Sequence, residues 1–261
     1  LILPCNIFLS FEGNTDMSAL KSSLLTVIIS VLVMLCTAIL GKVIYRHREE
    51  RKAKVFRYGL VNSNALFIGL PIIQSLLGDA GVLQLSMYMI FVRMFCWSYG
   101  LSLYTGVKSD WKGSFKRLLT HPCMIAAALG VAAMVTGIRL PAFLDRTLQY
   151  VSSCLMALSM LLIGVVLSEI KLKEVFCGDV WRFTALRLGV MPGIVFGLCK
   201  LCGVPYIVTA TCTLVSGMPA ASLTAVLAAR YHGDSELGAL LVAVSTILSA
   251  VTIPLWFMIL Q

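Results

Sequence analysis

The sequence predicts an all-α polytopic membrane protein built from two inverted five-helix repeats, on three observations. Of the 261 residues, 59% are hydrophobic and only 13% charged, roughly half the charge of a soluble globular domain. Apolar runs long enough to cross a bilayer recur along the whole chain. The two halves also register on one another when one is slid past the other by 155 residues.

Taken in order, Leu1 to Phe11 reads as the second half of a span. It is apolar but short, and it lacks the basic flank of a signal peptide. Full spans follow at residues 19–45, 58–77, 80–106, 118–138, 142–168, 180–203, 205–229 and 235–260, each bounded by charge or turn residues. The connections set the orientation. Arg46, Arg48, Arg51, Lys52, Lys54 and Arg57 fill the first of one set of alternate connections. Lys108, Lys112, Lys116, Arg117, Lys171, Lys173, Arg182 and Arg230 fill the rest of it, fourteen in all. The opposite set holds Lys21, Arg139, Arg146 and Lys200, with Glu12 and Asp16 beside the first. Basic loops stay in the cytoplasm, so the C-terminus is predicted outside a cell inner membrane. That asymmetry absorbs most of the net charge of +9, leaving the lipid bilayer rather than nucleic acid as the expected partner. The nine cysteines are scattered through apolar stretches as small hydrophobes. Cys199 and Cys202 have no second pair or nearby histidines to make a metal site.

With the offset of 155, Gly78-Asp79 falls on Gly233-Asp234, span 19–45 on 174–200, and span 80–106 on the end of the chain. An odd number of spans per half inverts one copy relative to the other, as in many secondary transporters. The organisation predicted is an N-terminal repeat at 1–106, a cytoplasmic linker at 107–117 and a C-terminal repeat at 118–261. By the same registration the first helix and part of the second lie upstream, in a whole of about 300 residues and ten spans.

In each half, one registered span carries helix-breaking residues. The first reads Gly59-Leu-Val-Asn62-Ser63-Asn64-Ala-Leu-Phe67-Ile-Gly69-Leu-Pro71, and the second Ser216-Gly217-Met218-Pro219-Ala-Ala-Ser222-Leu-Thr224. Unpaired polar groups in hydrocarbon cost several kcal/mol, and a proline frees a carbonyl one turn back. Two helices broken at the membrane midplane follow, their free N–H and C=O groups offered to a ligand. Close packing or a simple kink is the plainer account of such residues, and it is the one adopted for Pro192-Gly193.

These residues resemble the auxin efflux carrier family, and more closely its bacterial permease branch. The resemblance rests on Asn62 to Pro71, on Ala157-Leu-Ser-Met-Leu-Leu-Ile-Gly164, on Met218-Pro219-Ala-Ala-Ser222 continuing to Ala229-Arg-Tyr-His-Gly-Asp234, and on Val244-Ser-Thr-Ile-Leu-Ser249 with Ile253-Pro254. It implies ten spans in two inverted repeats, crossed broken helices, and a transport domain moving like an elevator on a scaffold. It also matches Asn64 to the asparagine of the first crossover and Pro219 to the proline of the second. Ser63 stands where plant members have proline. Leu223 and Thr224 stand where many relatives have asparagine, and the long cytoplasmic loop of the plant carriers is absent.

Two arginines, Arg93 and Arg187, lie within spans, and no Asp or Glu lies comparably deep. Arginine there faces a cavity or a partner, and a small organic anion such as a carboxylate is the natural one. The predicted substrate site is therefore Asn62, Ser63, Asn64, Met218, Pro219, Ser222 and Thr224, with Arg93 and Arg187 supplying attraction. Snorkelling of Arg187 to the cytoplasmic face, and binding of backbone carbonyls by Arg93, are the structural alternatives. No cofactor or metal is expected. Coupling to H+, to Na+ or to the membrane potential is left open, because His47, His121 and His232 sit in or beside loops. A homodimer is also left open. The function predicted is secondary transport by alternating access, with a ligand-binding receptor or sensor on the same fold as the alternative. No nucleophile and base pair, and no metal set, suggests an intramembrane enzyme.

Overall fold

The computed structural model describes residues 4–5, 7–9, 17–105, 122–136, 140–168 and 177–261. Most of the opening half-span, the linker at 107–117 and His121 lie outside them. The described chain is helical, with one isolated antiparallel bridge.

Helix α1 (Met17–Ile44) packs along α3 (Leu70–Phe95). The buried Thr26 hydroxyl donates to Gln84 Oε1 at 2.6 Å and ties the two together. Helix α2 (Glu50–Val61) corrects one expectation. The basic stretch up to Arg57, read from sequence as a connection, is helical from Glu50 onward. Lys, Arg, Ala and Glu are good helix formers, and Glu50 pairs with Lys54 one turn on at 2.9 Å. Ala53, Val55, Phe56 and Tyr58 are buried. The interrupted element therefore begins eight residues earlier than its apolar run, which puts the break at Asn62 to Asn64 near its middle.

Beyond the break, a π-helical turn at Ala65–Gly69 leads into α3. The helical stretch Ala65–Thr105 has 41 residues, about 60 Å of helix against a hydrocarbon thickness of about 30 Å. It bends at Gly78, whose φ of 64° suits glycine. Past the bend it continues through a second π turn, Cys96–Gly100, into α4 (Leu101–Thr105). Helices α5 (Pro122–Thr136) and α6 (Ala142–Ser168) follow, and α6 packs on the Ala65–Gly69 turn.

Helix α7 (Gly178–Ala185) passes through a π turn, Leu186–Val190, into α8 (Met191–Leu201). The sequence kink at Pro192 is this π turn. The second interrupted helix comprises α9 (Tyr206–Ser216) and α10 (Leu223–Arg230), and α11 (Ser235–Leu260) completes the fold with Asp234 capping Leu237 N at 2.9 Å. Among the described residues, Lys21–Ile44, Ala65–Thr105, Gly178–Leu201 and Ser235–Leu260 are long and apolar enough to cross a membrane. The chain is a multi-pass, all-α membrane protein.

Candidate functional site

The two interrupted helices meet at their breaks. Helix α2 ends at Val61 and α9 at Ser216, 155 residues apart, and each then gives way to extended or irregular backbone. Asn64 N donates to Pro219 O at 2.8 Å and Ala221 N to Asn62 O at 3.1 Å, so Ser63 and Ala220 form an antiparallel bridge. The breaks differ in length, residues 62–64 in one and 217–222 in the other.

Backbone groups released at a break must find partners inside the protein. Those of the second break are held by α11, where Ser245 Oγ accepts from Ala220 N at 3.1 Å and donates to Leu241 O at 2.6 Å. Those at the first break are only partly answered. Asn64 O accepts from both Ile68 N and Gly69 N, but the N–H groups of Ala65, Leu66 and Phe67 find no backbone acceptor among the described residues. Asn64 occupies the N-cap position of this half-helix, yet its side chain caps nothing. Asn62 is committed differently, with Nδ2 donating to the hydroxyl of buried Tyr58 at 2.9 Å.

The sequence-predicted residues fall into two groups. Asn62, Ser63, Asn64, Met218 and Pro219 are buried around the bridge. Ser222 and fully buried Thr224 open α10, and both hydroxyls are buried without a hydrogen-bond partner. Arg187 is 2% exposed and therefore does not snorkel. Its Nε donates to Met218 O at 3.0 Å and its Nη1 to Leu60 O. Arg93 is half-buried near the end of α3, within electrostatic reach of the Cys96 thiol that Arg187 also reaches.

Sequence reasoning assigned no role to Tyr58, Ser245 or Tyr88, whose hydroxyl is buried without a partner. Tyr58 lies one helical turn before Asn62, a spacing that could have paired them. Ser245 sits in a stretch that carried the family resemblance, with nothing local to tie it to residue 220. Among the described residues, no group of three or more His, Cys, Asp or Glu could hold a metal ion.

Basic residues before and within α2 make contacts of their own. Arg48 pairs with Asp179 at 2.5 Å, and Arg57 Nη2 donates to Tyr45 O at 3.1 Å. The hydrogen bond from Lys54 holds the exposed Glu50 carboxyl below its ordinary value.

A family model described as membrane transport protein matches residues 1–113 and 108–257. An uncharacterized transporter of Methanocaldococcus jannaschii is 26% identical over 271 residues, covering 98% of this chain and 85% of that protein. An uncharacterized transporter of Methanothermobacter thermautotrophicus is 27% identical over 264 residues, covering 99% of this chain and 85% of that protein.

Proposed function

Because the chain belongs to the membrane transport protein family, that of the auxin efflux carriers, we propose that it is a secondary transporter for a small organic anion, a carboxylate. The family is one of transporters rather than enzymes. The substrate binds where the two interrupted helices meet and crosses a cytoplasmic membrane by alternating access, in an elevator movement of the paired helices.

The observation that carries this reading is the opening of the half-helix at Asn64. Three adjacent backbone N–H groups there lack backbone acceptors, and the side chain that would ordinarily cap them does not. A helix N-terminus carries about half a positive charge and is suited to a carboxylate. The Asn64 amide adds two donors, and the unpartnered hydroxyls of Ser222 and Thr224 add adaptable polar contacts. Arg93 adds positive field. The equal spacing of the two helix ends, Val61 and Ser216, supports two repeats of opposite orientation, at 1–106 and 118–261. The loop charges support cytoplasmic basic loops and an external C-terminus.

Reconstitution of the full chain into liposomes tests the reading. Labelled acetate, malate and indole-3-acetate are offered under a proton gradient, a sodium gradient or a potassium diffusion potential. Saturable uptake of at least one carboxylate is expected, and the gradient that drives it identifies the coupling. Absence of saturable uptake and binding for all three refutes the anion site, and carboxylate binding without uptake makes the protein a sensor.

A further inference from the structure

Arg187 is a buried cation whose hydrogen bonds share a feature. Leu60 lies in the last turn of α2, and Met218 lies two residues past the end of α9. Both accepting carbonyls thus sit at a helix C-terminal end, where the macrodipole leaves about half a negative charge and the carbonyls lack intrahelical partners. One guanidinium answers two helix ends at once. Its planar fork can hold two acceptors in a fixed relation, which an ammonium cannot.

The local sequence aims it there. Pro192 has no N–H to give to Leu188 O one turn back, and the chain widens into the π turn Leu186–Val190 that carries Arg187. Trp256 of α11 fills the vacant bond, its Nε1 donating to Leu188 O at 2.8 Å. Gly217, at the start of the second break, lets this turn come close, since a Cβ there would stand 3.3 Å from the Pro192 ring.

The geometry points to Arg187 as a positioning residue that pins the C-terminal ends of α2 and α9 together and so keeps the Asn62–Asn64 and Pro219–Ala221 segments in register. It is not a ligand of the anion, because its charge is committed to the two helix ends. The consequence for flux rests on the transporter reading above, while the pin is a property of the protein without substrate.

Hydrogen exchange on the full chain in detergent, without substrate, reads the pin directly. In Arg187→Met the amides of Asn64 and Ala221, which form the bridge, are expected to exchange about tenfold faster or more, with α1 unchanged. Arg187→Lys restores part of the protection, since the rotatable donors of an ammonium on a flexible stem hold the two carbonyls in no fixed relation. Trp256→Phe keeps Arg187 but loosens the turn that aims it. It is expected to raise exchange at the same two amides by a smaller factor, and it decides the matter if Arg187→Met does not fold. Wild-type exchange at both amides in folded Arg187→Met, or in Trp256→Phe, overturns the pin. For whichever of malate or indole-3-acetate the wild type takes up, Arg187→Lys should lower Vmax about tenfold and leave KM within about threefold. A tenfold rise in KM at unchanged Vmax would make Arg187 a ligand instead. If the wild type takes up neither of these nor acetate, the transporter reading fails while the exchange result still judges the pin.

Discussion

Asn62 and Asn64 stand two residues apart in the same break, and the structure predicts opposite consequences for their loss. Asn62 Nδ2 is bonded to Tyr58 Oη, and Tyr58 is 1% exposed. Asn62→Ala leaves that hydroxyl without its partner in a dry interior, at about 1–3 kcal/mol. At about 2–4 °C per kcal/mol for a chain of this size, the melting temperature should fall by about 6 °C. Asn64 makes no side-chain cap, so Asn64→Ala removes no such bond and should cost under about 1 kcal/mol, the scale of a small buried void. Its effect belongs to transport. Donors to a carboxylate are worth about 2 to 3 kcal/mol, roughly 30- to 150-fold in affinity. Thermal unfolding and liposome uptake of the two variants, measured side by side, separate the roles. Wild-type uptake by Asn64→Ala would remove that residue from the site. A melting drop as large as that of Asn62→Ala would make Asn64 a structural residue and leave the opening of the half-helix without a ligand group.

Three further outcomes follow from the surroundings of the bridge. Ser245→Ala strands Ala220 N–H, which is fully buried, and should cost about 1–3 kcal/mol in thermal unfolding, with Ser245→Thr restoring most of it. Gly100→Ala places a Cβ 2.7 Å from Tyr58 Cε2, on a ring already edge-on to Tyr104 at 5.5 Å. Overpacking of about 1–3 kcal/mol is expected, together with a fall in uptake, because Tyr58 is the partner of Asn62. Glu50→Gln should leave uptake and melting near wild type at pH 7, since Glu50 is exposed and its pair with Lys54 is a surface one. Its carboxyl is held below its ordinary value, so the pair's contribution is complete above the unfolded value and disappears as pH falls through the lower folded one. A proton titration of Glu50 followed by NMR should place its midpoint below that of an unpaired glutamate.

The spans were legible because a bilayer demands long apolar runs with sharp edges. The helices at Ala142–Ser168 and Ser235–Leu260 coincide with the predicted runs. The breaks were legible because Asn, Ser and Pro in mid-span have no cheap explanation. Less visible was the start of the first interrupted helix at Glu50, because charge marks the end of a hydrophobic run without ending a helix. Fully hidden were the partners supplied by distant segments, such as Ser245 for Ala220 and Trp256 for Leu188 O. Arg187 shows the same limit from the other side. A buried arginine without an acidic neighbour in sequence suggested an anion, and the compensating negative ends turned out to be two helix C-termini that no single-residue pattern records.

The position of the bridge follows from how the apolar interior is divided. One core gathers residues of α1, the stretch from Ala65 to Ile73, α9 and Met218. The other gathers Ala53 to Leu60, Phe183, Ala220 and α10. The seam falls between Leu60 and Val61 in one interrupted helix and between Met218 and Ala220 in the other. Each helix thus gives one half to each core. Backbone freed by a break inside either core would meet only hydrocarbon, whereas at the seam the two breaks satisfy one another through Asn64 N and Pro219 O, and through Ala221 N and Asn62 O. Moving one interrupted helix alone would disturb both cores. Helix α6 lies against the Ala65–Gly69 turn beside the proposed anion site, and against α3 and α11.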